Sequence, residues 1–277
     1  MNKKQSTQKV RICIANPAGN ITIFVLDSFP RSQYQSVATE LLSVKEFAAE
    51  QVAFVTGKNS MEMCGLEFCG NASRSFALMQ AKKEGLSGHS VIDISVSGCN
   101  ERLHVAVDTT NDYTKIKMPL PRKITEPDLN GIPKTDALCS LLKNSKIVDL
   151  DGIVHVIVQD KYPSMENFDV IKNYINEKFA PPAVGVMFYD SSENRLTPIV
   201  YVKDVNTTYI EGSCASGVTA VAAAFCQNET AGTFRFSLPQ PAGTITATCE
   251  KANGILKAVY IEGPVGLQPV QTVDIRL

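Results

Sequence analysis

Glu67-Phe68-Cys69-Gly70-Asn71-Ala72-Ser73 and Glu211-Gly212-Ser213-Cys214-Ala215-Ser216-Gly217 share one pattern, a cysteine in a small, glycine-containing turn that opens an apolar helix. Cys69 and Gly98 are 29 residues apart, and so are Cys214 and Gly243. Gly98 to Pro119 and Gly243 to Pro264 each span 21 residues. These three landmarks recur with a single offset of 145. A second set, Phe47-Ala48 before Val52 and Phe179-Ala180 before Val184, recurs with an offset of 132. Two unequal offsets describe an old duplication whose second copy has a tighter opening. One thiol per half predicts two acid/base groups facing each other across a cleft.

Between these landmarks the chain reads mostly as short strands. They are expected at 10–15, 21–26, 52–56, 91–96, 103–107 and 113–118, and then at 153–158, 184–189, 199–202, 234–238, 244–248 and 255–261. Many alternate apolar and polar residues, as half-buried strands do, and polar Gly- or Pro-containing turns separate them. Residues 35–49 carry an amphipathic period, with Val37, Leu41, Leu42 and Phe47 on one face and Glu50 at the helix end. Residues 170–179 hold the equivalent place in the second half. Residues 72–83 form a helix that stops at Lys82, Lys83 and Gly85, whereas 218–226 is apolar all round and is read as buried on every side. The proline-rich stretch 119–146 is the expected linker. The strand pattern of 270–277 has no counterpart and is expected to pair back onto the first domain.

Composition narrows the function classes. The 277 residues suggest two domains, and 44% hydrophobic content supplies a core to each. With 27 basic and 28 acidic residues, and no basic stripe interleaved with aromatics, nucleic acid and anionic membranes are not expected partners. Neither a signal peptide nor a membrane span is read, so a cytoplasmic protein is expected. The eight cysteines and three histidines show no CxxC pair and no zinc spacing, and no metal is expected. Reduced thiols in a reducing compartment fit this usage. Nucleotide-binding and zinc-protease motifs are absent.

The segment 67–72 resembles the first catalytic motif of the diaminopimelate epimerase superfamily, and Cys214-Ala215-Ser216-Gly217 resembles the second. Pro17-Ala18-Gly19-Asn20 is similar to the N-terminal Gly-Asn loop of that superfamily, and Gln51 stands where it places a substrate-contacting glutamine. Asn16–Asn20, Glu50-Gln51-Val52 and Val96-Ser97-Gly98-Cys99 are most similar to the cofactor-independent histidine racemases of opine-metallophore biosynthesis. Glu62-Met63-Cys64-Gly65 spells the first motif more literally, but Leu66 follows where Asn is expected. Cys64 is therefore read as a strand residue.

The resemblance implies an α+β fold of two pseudo-symmetric domains, each a curved mixed or antiparallel sheet around a central helix. The domains are expected at 1–122, with a strand from 265–277, and at 123–264. It implies racemisation or epimerisation of an amino acid by two catalytic cysteines, Cys69 and Cys214, with no cofactor. Histidine is the expected substrate, with diaminopimelate or another α-amino acid as the alternative. The diaminopimelate enzymes carry a Glu-Arg pair before the second cysteine, and its Arg holds the distal carboxylate. Here that place falls on Val205-Asn206, and the superfamily's Asn-Pro-His loop becomes Ile153-Val154-His155. A pocket with Glu50 and no Arg suits a side chain that donates hydrogen bonds. Substrate contacts are assigned to Asn20, Glu50, Gln51, Gly70, Asn71, His155, Glu211, Ala215 and Ser216. The expected partner is a small amino acid, with a homodimer as the assembly to test. Helix N-termini carry partial positive charge, so both cysteines are expected to titrate below the free-thiol value.

Overall fold

The computed structural model describes residues 7–277 apart from 131, 134–136 and 204–205. In chain order the strands and helices are β1 Thr7–Asn16, β2 Thr22–Val25, α1 Tyr34–Leu42, β3 Gln51–Gly57, β4 Ser60–Met63, α2 Gly70–Lys83, β5 His89–Val96, β6 Leu103–Asp108 and β7 Tyr113–Met118. There follow β8 Lys123–Thr125, α3 Ala137–Leu142, β9 Lys146–Leu150, β10 Ile153–Gln159, α4 Met165–Phe179, β11 Ala183–Asp190, β12 Arg195–Val202 and β13 Thr207–Ile210. The last are α5 Ala215–Phe225, β14 Gly232–Pro239, β15 Thr244–Ala252, β16 Ile255–Pro264, β17 Gly266–Leu267 and β18 Gln271–Arg276. The chain divides into two compact units, Met1–Lys117 with Glu262–Leu277, and Met118–Ile261.

In the first unit the strands run β7-β6-β5-β4-β3-β2-β1. Both β17 and β18 pair antiparallel with β1 on its far side, β18 over residues 7–12. Strands β2 and β3 are parallel and are joined through α1, whose Val37, Ala38 and Leu41 pack against Val52 and Phe54 in a closed apolar core. Tyr34 stacks on Phe54 with ring centroids 3.7 Å apart. Helix α2 packs on β5, β6 and β1, and its Gly70–Ala81 stretch is buried throughout.

The second unit holds a six-stranded sheet, β13-β12-β11-β10-β9-β8, and the strands β14, β15 and β16 as far as Ile261. Strands β10 and β11 are parallel and joined through α4, which repeats the β2-α1-β3 crossover. Phe168, Ile171 and Ile175 of α4 meet Val154, Val156, Val184 and Val186 in the core of this sheet. Helix α5 is buried except at its Ser216 and Phe225 ends and packs mainly on β15.

The 132-residue offset has a local cause. Ala48 and Ala180 both take left-handed φ, 47° and 45°, and each is followed by the parallel strand of its crossover. Several sequence expectations need correction. The helix read at 35–49 ends at Leu42, because Val44 is extended, and a 3₁₀ turn at Lys45–Phe47 then returns Phe47 to the core. Helix α4 begins five residues earlier than its apolar period, where the Ser164 side chain caps the Asn167 N–H at 3.1 Å. The stretch 119–146 is not a bare linker, since β8 joins the six-stranded sheet and Leu141 and Leu142 of α3 enter its core. Cys64 lies just past β4, although its N–H still bonds Val52 O. No helix among the described residues is long and apolar enough to cross a membrane.

Candidate active site

Each cysteine is the N-cap residue of a helix. Cys69 sits at φ −128°, ψ 111° before α2, and its Sγ accepts from the Ala72 N–H at 3.4 Å. Cys214 sits at φ −121°, ψ 110° before α5, and its Sγ accepts from the Gly217 N–H at 3.4 Å. N-cap side chains ordinarily supply an oxygen to these orphan donors. Here sulfur takes that place, so each thiol lies against free N–H groups and the positive end of a helix dipole. Ala72 and Gly217 are themselves related by the 145-residue offset.

The conserved spacing to the distal glycine follows from what that turn does. Ser97 Oγ donates to Glu67 O at 2.9 Å, while Ala242 N donates to Gly212 O at 2.9 Å. Both pairs clamp the residues just ahead of a cysteine, again at the 145 offset. Gly98 has φ 68°, and a Cβ on it would overlap the backbone of Phe68. Only glycine allows the turn to press this closely on the Cys69 loop. In the second unit Gln240 adds a bond from its Oε1, which accepts the Cys214 N–H at 2.8 Å.

Around Cys69 lies a chain of amides. Gln51 Nε2 is 3.4 Å from Cys69 Sγ and 2.8 Å from both Asn20 Oδ1 and Thr22 Oγ1. Asn71 Nδ2 donates to Asn20 Oδ1 at 3.2 Å, and Asn20 Nδ2 donates to Glu50 Oε2 at 2.6 Å. The Asn20 oxygen thus receives two donors and has little left to accept with. What Asn20 and Asn71 still offer is N–H, which suits an anionic carboxylate. Glu50 does not end a helix as expected. It precedes β3 with its N–H on Ile21 O, and Asn20 holds its carboxylate.

The chain continues inward to a residue that sequence reading passed over. Arg74 Nε donates to Asn71 Oδ1 at 3.2 Å, and the side chain is fully buried. From sequence alone this arginine has no assigned role. Its position three residues after Asn71, one helical turn on, was the available signal.

Around Cys214 the partners differ. Ser216 Oγ lies 3.5 Å from Cys214 Sγ and 2.9 Å from His155 Nε2. His155 is completely buried on β10, so it reaches the cysteine through Ser216. A Cβ on Gly185, its neighbour on β11, would overlap His155 Nδ1. Burial pulls the His155 pKa down to about 3, which keeps the ring neutral. For Cys214 the sequence expectation reverses. Burial pushes its thiol well above the ordinary thiol value, Glu211 adds to the shift, and the Ser216 and Gly217 contacts offset it only in part. Desolvation of the charged form here exceeds the helix-end field. Val205, matched to the Glu of the distal pair, lies outside the described residues, while Asn206, matched to its Arg, has φ 49° and accepts from the Tyr201 hydroxyl at 3.2 Å. Among the described residues no three His, Cys, Asp or Glu side chains gather as a metal site.

A family model described as "Histidine racemase CntK N-terminal domain" matches residues 9–271. The chain belongs to the histidine racemase family. A histidine racemase of Fusobacterium nucleatum is 34% identical over 260 residues, covering 90% of this chain and 91% of that protein. One of Staphylococcus aureus is 24% identical over 260 residues, covering 90% and 92%. Among solved structures, a hydroxyproline epimerase from Agrobacterium vitis superposes with TM-score 0.62 at 11% identity, covering 99% of this chain and 94% of that one. A probable proline racemase from Agrobacterium radiobacter gives 0.61 at 12% identity, covering 95% and 93%. At such identities the likeness is one of fold. The chain thus shares the two-domain α+β fold of these epimerase and racemase structures.

Proposed function

We propose that the protein interconverts L- and D-histidine without a cofactor, with Cys69 and Cys214 as the two proton carriers. The observation that carries this reading is the duplicated N-cap thiol in a member of the histidine racemase family. The free enzyme starts with Cys214 as thiol, because burial and Glu211 oppose its anion. Cys69 is then the base. Donors from Ala72 and Gln51 lie on its sulfur and favour the thiolate.

The Cys69 thiolate takes the α-proton and becomes a thiol, leaving the electron pair on the substrate as an enediolate. The Cys214 thiol gives its proton to the opposite face of the same carbon and becomes the thiolate. The protein ends in the mirrored protonation state, ready for the other enantiomer or for reset by solvent. The hard part is the charge that develops on the α-carboxylate. Fixed N–H donors stabilise it without reorganising, and Asn20, Asn71, Gly70, Ala215 and Ser216 are the proposed donors.

Glu50 accepts an imidazole N–H in this reading, with Glu211 as the second carboxylate of the pocket. A distal carboxylate, as in diaminopimelate, would meet like charge instead. None of the eight cysteines is in a disulfide, which suits the reducing cytoplasm, and a homodimer is the proposed assembly. The test is L-histidine in deuterated water after dialysis against chelator and hydroxylamine, read by chiral chromatography and mass. D-Histidine carrying one α-deuteron is expected, with far slower exchange of diaminopimelate. Activity restored only by pyridoxal phosphate or a metal would end the two-thiol reading. Turnover of diaminopimelate without histidine would overturn the substrate alone.

A further inference from the structure

The largest fully buried side chain among the described residues is charged. Arg74 of α2 has no exposed surface, and the groups that hold it are neutral: Asn71 Oδ1 at 3.2 Å, Thr114 Oγ1 at 3.3 Å, Gly263 O at 2.9 Å and Pro264 O at 3.2 Å. Its Nη2 has no hydrogen-bond partner among the described residues. Neutral acceptors compensate a buried guanidinium only in part, and an apolar side chain of similar volume would fill the space at less cost. Packing alone therefore does not explain an arginine here.

We propose that Arg74 is a positioning residue of the racemase site, fixing which way Asn71 and Asn20 face and placing a buried positive charge behind Cys69. The inference rests on the proposed role of Cys69, Asn20 and Asn71 in catalysis. A guanidinium has five donors and no acceptor, so Asn71 must turn its oxygen toward Arg74. The Asn71 amide nitrogen then faces Asn20 Oδ1, and the Asn20 nitrogen faces Glu50. A carboxylate only accepts, so the two charged ends impose one direction on both amides. The free N–H of each is thereby held out for a substrate carboxylate, and neither amide gains by flipping.

The charge has a second effect. Burial lowers the Arg74 pKa to about 10, and Cys69 is the first of the groups that raise it again. The guanidinium stays charged at neutral pH. The coupling is reciprocal, so Arg74 favours the Cys69 thiolate as that thiolate favours the cation. The second unit has Glu211 beside its cysteine instead. Opposite charges thus bias the two thiols in opposite senses.

The experiment compares Arg74→Met and Arg74→Lys with the wild-type enzyme and with Cys69→Ser. Steady-state histidine racemisation is measured together with the pH profile of iodoacetamide alkylation at Cys69 and Cys214, mapped by peptide mass. Arg74→Met should fold, raise KM about tenfold as one lost charge-assisted hydrogen bond implies, and lower kcat as well. It should also slow Cys69 alkylation at neutral pH roughly tenfold, as a one-unit shift gives, and leave Cys214 unchanged. Arg74→Lys keeps a charge and a donor and should recover much of the Cys69 profile while KM stays raised. A folded Arg74→Met enzyme with wild-type KM, kcat and alkylation profile overturns the proposal. If Arg74→Met does not fold, a wild-type Arg74→Lys in all three readouts overturns it. An active Cys69→Ser would instead overturn the site reading itself.

Discussion

A thiol is an uncommon helix cap, and at both Cys69 and Cys214 the same backbone conformation puts sulfur where an oxygen normally sits. The substitution trades hydrogen-bond strength for an acid/base group that a hydroxyl cannot replace. Cys69→Ser and Cys214→Ser should therefore each keep the fold, since serine caps at least as well, yet lower racemisation on the order of a thousandfold or more. Cys64→Ser and Cys139→Ser should remain near wild type. Circular dichroism and chiral assay of the four variants check this, and full activity in Cys69→Ser would refute the assignment. Glu50 supports a second prediction. Loss of its carboxylate in Glu50→Ala should raise the KM for histidine about tenfold, and Glu50→Gln, which still accepts from Asn20, should recover part of it. An unchanged KM would direct attention to Glu211. At this scale the two thiols were readable because each sits in a motif that recurs. Arg74 was not, because its role depends on four acceptors, two of them 189 and 190 residues away in sequence.

Among the secondary-structure elements, β10 and α5 form the support of the second thiol, with His155 buried between the strand and Ser216. Its depressed pKa gives stability a definite pH dependence. An unfolded chain takes up a proton near pH 6.5, whereas folded His155 refuses one until about pH 3. Stability is therefore full above the unfolded value and falls as acid is added. Linkage puts the loss at about 2 kcal/mol by pH 5. Urea midpoints at pH 7, 6 and 5 should show this slope in the wild-type protein and a flatter one in His155→Gln. Equal slopes would show that His155 does not titrate this way. Most elements were legible from their period, but the short strands β4, β9 and β13 were not read from the sequence. The apolar α5 and the alternating strands appear where their patterns put them, with ends shifted by a few residues. Helix α2 was read as apolar, yet it also buries Ser73, Arg74, Ser75 and Gln80, the first three bonded to neighbouring backbone or side chains. The end of α1 was hidden for another reason. Phe47 keeps the apolar period while a 3₁₀ turn, not the helix, delivers it to the core.

Over the whole molecule, the two sequence offsets correspond to two separate structural modules. The 132 offset marks the β-α-β crossover that ends in a left-handed alanine, and the 145 offset marks the cysteine turn with its clamping loop. Each module kept its internal spacing because a backbone contact fixes it, while the chain between them was free to change length. That is why duplication remained readable when few side chains match. The proline-rich stretch was misread because prolines at 119, 121, 127 and 133 suggest a spacer, whereas the segment lays a strand and a helix on the second unit. The pairing of β18 with β1 sets an order of events during synthesis. Residues 271–276 leave the ribosome after every residue of the second unit, and until then one long edge of β1 has no strand to cover it. The second unit can close on itself while the first waits, its earliest strand exposed to other nascent chains. A stop codon or protease cut ahead of residue 271 would therefore damage the half of the protein made first.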